Sequence, residues 1–495
     1  MSSRLRPQAD QAFSRAAGAP LVPGNQVTLL RDARENYPAW LDAIARAEKW
    51  IHFELYLIHS DRAGRMFAEA LAERARAGVR VRLLTDWLGS IGKTSFSYWR
   101  QLRAAGIDAR TFNRLSLSSP FSWMSRDHRK ALCVDGRVAF VTGLCVGEQW
   151  LGDPEKGIEP WRDTGVSIAG PAVADVEAAF AHVWSHAGAA LPDEEQLGPE
   201  QIPDAGDTAL RVIASMPAGG GMFRLDQLVT ALARRTLWVT DAYFVGVNAY
   251  VEALCSAARD GVDVRLLVPG SGSDIAMIQR LTRAGYRSLL DGGVRVFEWN
   301  GPMIHAKTAV ADGKWARVGS TNLNVQSWLG NWELDVAIED ERFGREMEVM
   351  YEKDLENASE IVLSRRRVLP ASPRARTSTP YVRAQRRHRG RAARAAAGAL
   401  RIGHTFSAVL TARRTVARAE AITLFYGAAL ALALAVVAFI WPTALAAPIG
   451  VIVAWLGLAW SVRAVKLLWK RPEDGLAAPN GQAVPAESER KASEA

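Results

Sequence analysis

The chain has 495 residues, 49% hydrophobic and 23% charged, which excludes a disordered polymer and provides for two or three packed domains. Its three cysteines, Cys133, Cys145 and Cys255, form neither a disulfide framework nor a zinc-binding spacing, so a reducing compartment is expected. The formal charge of +9 is local: from Ile361 to Glu420 fifteen arginines face one acid, which leaves the rest of the chain net acidic. That stretch alone calls for an anionic, extended partner, a membrane surface or a nucleic acid.

In chain order, residues 1–23 carry Arg4, Arg6, Asp10 and Arg15 and no apolar run of signal-peptide length, and are expected to be a disordered tail. Residues 24–360 then repeat themselves. In each copy an apolar strand ends in an acid and an aromatic, Glu54 and Tyr56 in the first, Asp241 and Tyr243 in the second. A helix follows, stopped by a glycine that opens an alternating strand: Gly78-Val79-Arg80-Val81 and Gly261-Val262-Asp263-Val264. A second helix leads to a third strand after Gly106 and after Gly293. This order predicts an α/β class with two similar domains, 24–200 and 205–360.

Past the repeat, residues 361–415 read as an arginine-rich linker with too few apolar residues to bury a core. Ala421–Trp441 and Thr443–Val462 are free of charge, each long enough to cross a bilayer core of about 30 Å, so residues 416–470 are expected to form a transmembrane helical hairpin. Arg413, Arg414 and Arg418 before it and Arg463, Lys466, Lys470 and Arg471 after it place both ends in the cytoplasm. Residues 471–495 are expected to be a disordered tail.

The chemistry lies in one segment of each copy. His128-x-Lys130 is followed by Asp135-Gly136, and His305-x-Lys307 by Asp312-Gly313 at the same distance. Residues i and i+2 of a strand share a face, so each histidine should sit beside its lysine. Two such pairs brought together suit a phosphodiester: the lysines neutralise phosphoryl oxygens, one imidazole attacks phosphorus and the other protonates the leaving alkoxide. No metal and no cofactor is required. Asp163 and Glu333 are candidates to hold the second imidazole nitrogens, and Ser320 and Asn322 to donate to phosphate oxygens. Asp135 and Asp312 belong to the motif but read as turn-capping groups.

These residues resemble the phospholipase D superfamily, whose signature is a duplicated H-x-K-x-x-x-x-D motif, over roughly residues 24–360. Within it the chain is similar to the bacterial cardiolipin synthases, nearest the type B group on Gly24-Asn25-Gln26-Val27 and Val318-Gly319-Ser320-Thr321-Asn322. The resemblance implies two phospholipase D-like α/β domains packed around a shared site, with His128, Lys130, Asp135, His305, Lys307 and Asp312 as its motif residues. It implies attack by His128 on phosphatidylglycerol, protonation of glycerol by His305, and resolution of the phosphatidyl-histidine by phosphatidylglycerol or phosphatidylethanolamine. A bacterial cytoplasmic membrane, with phospholipids and an anionic surface as partners and no nucleic acid, is the expected setting. Hydrolases and nucleases share the motif pair; the hairpin and linker favour a lipid substrate over a nucleic acid, and a phospholipase D-type hydrolase stays the alternative to transfer. One departure stands out: Cys145 occupies the place of the usual asparagine in the first copy, and a thiol is a weak donor.

Overall fold

The structure, a computed structural model, describes residues 5–114, 125–363 and 368–370. Its frame is one mixed sheet of sixteen strands. The first half supplies β1 (Val22–Arg31), β2 (Trp50–Leu55), β3 (Arg80–Asp86), β4 (Asp108–Phe112), β5 (Ala131–Val134), β6 (Val138–Thr142) and β7 (Thr164–Ala169). The second supplies β8 (Thr208–Ser215), β9 (Thr236–Asp241), β10 (Asp263–Pro269), β11 (Arg295–Trp299), β12 (Lys307–Ala311), β13 (Trp315–Gly319) and β14 (Glu333–Glu339), with β15 (Ala358–Leu363) and β16 (Val368–Pro370) added at its edge.

The spatial order is β16-β15-β11-β10-β9-β12-β13-β14-β8-β1-β7-β6-β5-β2-β3-β4. Read outward from the β8–β1 junction, the two halves have the same order. In each, three strands run parallel through helical crossovers (β2-β3-β4 and β9-β10-β11), while the strands between them and the junction pair antiparallel. Parallel strands need both faces covered, and β2 meets that demand with every residue buried. The helices Arg62–Arg76 and Asn248–Arg259 each give way, two residues on, to a glycine at positive φ, Gly78 at 93° and Gly261 at 96°. A side chain would be strained there, so these glycines set the corner that turns each helix into its strand.

The sheet is continuous across the two similar halves. β8 and β1 pair antiparallel at Val22–Leu210 and Asn25–Thr208, and one apolar cluster runs through both halves, joining Val141, Val166 and Ile168 to Val318, Leu334 and Val336. Separate clusters fill the outer face of each half.

Two expectations change. Residues Leu5–Ala17 form a helix rather than a disordered tail; Ala17 and Ala19 are buried, and Arg224 donates to the Ala16 carbonyl at 3.1 Å. The first residues assigned to the linker extend the sheet as β15 and β16. Among the described residues no helix is long and apolar enough to cross a membrane; the hairpin expected at 416–470 lies outside them.

Candidate active site

β5 and β6, and likewise β12 and β13, are joined by a turn through Asp-Gly. Asp135 and Gly136 have φ of 56° and 68°, Asp312 and Gly313 of 54° and 63°. Two consecutive positive φ values give the mirror-image turn that suits the twist of a hairpin, and Asp-Gly is the pair that tolerates it. Each aspartate spends its carboxylate on the entrance to the neighbouring strand. Asp135 accepts from the backbone N–H groups of Glu48, Lys49 and Trp50, all at 2.8 Å, and Asp312 from those of Arg235 at 2.7 Å and Thr236 at 3.0 Å. Neither lines the cleft, so their place beside the catalytic candidates is corrected: they fix the hairpins that carry the histidines. Asp135→Ala orphans three N–H groups and should cost about 2–4 kcal/mol of stability. A thermal melt should show the loss while kcat of the folded fraction stays near that of the unaltered chain.

His128 lies just ahead of β5 and His305 just ahead of β12, not within the strands. Each is fixed by the other half of the chain. The His128 N–H donates to the Trp332 carbonyl at 2.9 Å, and its Nδ1 lies 2.9 Å from Glu333. The His305 N–H donates to the Arg162 carbonyl at 2.6 Å, and its Nδ1 lies 2.7 Å from Asp163. The same two-residue unit, a carbonyl followed by a carboxylate, therefore grips backbone and ring of each histidine across the middle of the molecule. Two buried arginines reinforce the join. Arg129 donates to the carbonyls of Ala179 (2.7 Å), Ser215 (3.1 Å) and Glu333 (3.2 Å), and Arg162 makes a two-pronged pair with Asp354 at 2.8 and 2.9 Å.

Beneath the histidines lie the two lysines, both buried. Lys130 donates to the His128 carbonyl; Lys307 donates to that of His305 and sits 2.9 and 3.1 Å from the ring nitrogens. Tyr56 packs edge-on to His128 at 5.0 Å and Tyr243 to His305 at 5.7 Å, with Trp150 and Trp161 completing the wall around His305. The histidines, Lys130 and both tyrosines line a cleft of about 530 Å³.

Burial and the neighbouring cations hold both imidazoles neutral. His128 falls well below the ordinary range through burial, then Lys130 and Lys307; His305 falls to about 4 through burial and Lys307, against the pull of Asp163. The carboxylates diverge. Burial pushes Glu333 up to about 7 against Lys130 and the donors Ser320 and Asn331. Burial acts on Asp163 too, but His305 and Lys307 outweigh it and hold this carboxyl below its usual value. The half-sites are alike in layout, and their carboxyls are shifted in opposite directions.

Burial also lowers Lys307, to about 8. Its cation is present below that pH and lost above it, so kcat/KM for an anionic substrate should fall as pH rises through about 8. Lys307→Arg should move that limb upward by more than a unit, since guanidinium keeps its proton. An alkaline limb that stays in place in the arginine variant would assign it to another group.

The remaining candidates separate. Asn322 lines the cleft, with its Oδ1 buried and without a partner among the described residues. Ser320 does not: it is fully buried, donates to Glu333 at 2.6 Å and accepts from the Leu334 N–H at 2.9 Å, so it holds the carboxylate instead of the substrate. Its counterpart is Gly143, where a Cβ would lie 2.2 Å from Asp163 Oδ1; only a glycine lets that carboxylate reach His305. Cys145 lines the cleft opposite Asn322 in the repeat, its thiol pushed up by burial. Tyr56 and Tyr243 were not among the candidates, although their matched places after Glu54 and Asp241 marked them. Lys93, Arg126 and Asp274 also line the cleft, and no motif pointed to them.

A family described as "Cardiolipin synthase, PLD-like domain" matches residues 40–184 and 229–355. The chain is 32% identical over 352 residues to a cardiolipin synthase of Clostridium perfringens, spanning 68% of this chain and 72% of that one. It is 33% identical over 356 residues to cardiolipin synthase A of Pseudomonas fluorescens, spanning 71% and 73%. Among solved structures, phosphatidylserine synthase of Haemophilus influenzae has the same fold, with a TM-score of 0.56 at 14% identity over 71% of this chain and 91% of that one. The names of these relatives do not carry the finer type B placement. The repeat, the paired motif and the likeness to these relatives agree: the chain belongs to the cardiolipin synthase family of phospholipase D-like proteins.

Proposed function

We propose that the chain is a phosphatidyltransferase that moves a phosphatidyl group from phosphatidylglycerol to the headgroup hydroxyl of a second phospholipid through a histidine-linked intermediate. The observation that carries this reading is the pair of buried, neutral imidazoles, each with Nδ1 held by a carboxylate and a lysine beside it. Holding Nδ1 leaves Nε2 for chemistry. The donor phosphodiester lies between the rings, and the lysines offset its charge. The nitrogen of His128 bonds to phosphorus as the bond to glycerol breaks, and His305 gives the glycerol oxygen its proton. His305 rests neutral through burial and then Lys307; the arriving phosphate offsets the Lys307 charge, so Nε2 takes up a proton from solvent as the donor binds, and this is the proton that glycerol receives. The second lipid's hydroxyl then returns its proton to His305 as its oxygen displaces His128.

The purified full chain, in mixed micelles of phosphatidylglycerol with or without phosphatidylethanolamine, should release glycerol and form cardiolipin, identified by mass. Phosphatidic acid as the sole product would make it a hydrolase of the same fold.

Two repeats, 24–200 and 205–360, thus form one catalytic unit in this reading, and residues 416–470 tie it to the bacterial cytoplasmic membrane. The uncharged runs with basic flanks support the anchor, and the arginines of 361–415 support contact with anionic lipid on the cytoplasmic side. The linker contact should weaken with salt, which vesicle flotation of the chain lacking 416–470 would measure.

A further inference from the structure

The repeat is not matched at the mouth of the cleft. In the first half the Arg126 guanidinium lies beside the Tyr56 hydroxyl; in the second the Tyr243 hydroxyl donates to Asp274 at 3.0 Å. Arg126 stands two residues before His128, and the corresponding place before His305 is Met303, which is buried and apolar. Lys93 joins Arg126 on the first-half wall, whereas the second-half rim carries Ile275, Leu281 and Val325, all strongly exposed. Asp274 is the one acid among the described residues that line the cleft. Burial is graded: His128, Lys130 and His305 are buried at the floor, Arg126 is half-buried above them, and Lys93 is exposed at the rim.

This polarity bears on a problem that two anionic lipids pose. The donor's phosphate occupies the floor, where Lys130 and Lys307 neutralise it. The second lipid must bring its own phosphodiester into the same cleft, a headgroup's length outward from the hydroxyl that reacts. That second charge needs its own cation, since like charges in a narrow cleft repel. Asp274 repels it from one wall, and the other offers Arg126, whose buried Nε has no hydrogen-bond partner among the described residues. From this we infer that Arg126 and Lys93 form a subsite for the phosphodiester of the accepting lipid, distinct from the lysine pair that holds the donor. A guanidinium above the floor and an ammonium at the rim suit a phosphate that stays near the bilayer while its headgroup reaches down. The inference rests on the transfer reaction proposed above.

The two lipids are told apart by comparing two reactions in the same micelles. Exchange of labelled glycerol into phosphatidylglycerol uses the donor site and an uncharged acceptor. Cardiolipin formation needs the second phosphate as well. In each the histidine–phosphorus bond forms and breaks once, and the proton passes to one alcohol and is recovered from the other, so only the acceptor differs. Arg126→Gln and Lys93→Gln should each lower the ratio of cardiolipin formation to exchange, by about tenfold or more for Arg126. Arg126→Lys should restore part of that ratio. An equal fall in both rates, accompanied by weaker binding to phosphatidylglycerol vesicles, would overturn the subsite and make the pair a general membrane contact. An unchanged ratio in both variants would also overturn it. Absence of glycerol exchange in the unaltered chain would instead remove the transfer reading on which it stands.

Discussion

His128→Ala and His305→Ala should each lower cardiolipin formation by about 10⁴–10⁶-fold, the range seen when a nucleophile or its acid–base partner is removed from a site that acts as a unit. The two losses should differ in kind. Attack on phosphorus needs the imidazole nitrogen itself, whereas protonation of the leaving group matters only when that group is a poor one. A phosphatidyl donor carrying p-nitrophenol in place of glycerol removes the need for the acid. With that donor His305→Ala should release nitrophenol in a burst and hold the phosphatidyl group on His128, and His128→Ala should stay inactive. A burst from His128→Ala with the adduct trapped on His305, and none from His305→Ala, would reverse the roles. Both substitutions open only small volumes beside a solvent-facing cleft, so loss of the fold is not the expected cause.

Asp163→Asn should reduce transfer by about 10³–10⁴-fold although Asp163 stands in the other half of the chain from the histidine it serves. An amide can turn its nitrogen toward His305 Nδ1, which then becomes the acceptor and exposes the wrong tautomer to the cleft. Glu333→Gln should do the same to His128. The nitrophenyl donor again sorts the outcomes: Asp163→Asn should behave like His305→Ala and be rescued, Glu333→Gln like His128→Ala and not. If rescue instead follows the halves, with Asp163 grouped with His128, the hydrogen bonds at 2.7 and 2.9 Å are not those of the working enzyme.

That pairing marks the boundary of what the sequence discloses. The histidines and lysines were legible because the reaction permits few residue types and the repeat presents them twice. Asp163 and Glu333 were legible as acids able to hold a second imidazole nitrogen, but not which ring each one holds. Which carboxylate meets which ring depends on how the halves face each other, and the β8–β1 junction that joins the sheet rests on two strand-paired positions without any motif of their own. Ser320 misled for a chemical reason: a hydroxyl in a glycine-rich turn after the lysine looks like a phosphate donor, yet its role depends on a carboxylate thirteen residues later. The helix Leu5–Ala17 was hidden by its charges, because its packing uses small residues such as Ala17 and a close approach to Gly221 that leave no periodic apolar stripe. Lys93, Arg126 and Asp274 escaped because they break the repeat, and repetition was the signal being read.

The exchange of carboxylates between halves has an evolutionary consequence. A half-chain of this kind has no complete site, and two identical copies associating by two-fold symmetry would build one only at concentrations that hold them together. In such a pair every substitution appears twice, so neither end of the cleft can change without the other. Fusion into a single polypeptide fixes the partners at a high effective concentration and frees each end to drift. Cys145 opposite Asn322, Gly143 opposite Ser320 and Arg126 opposite Met303 are differences that a homodimer cannot keep. An enzyme that must handle two lipids of similar structure in different roles gains from duplication the means to treat them unequally.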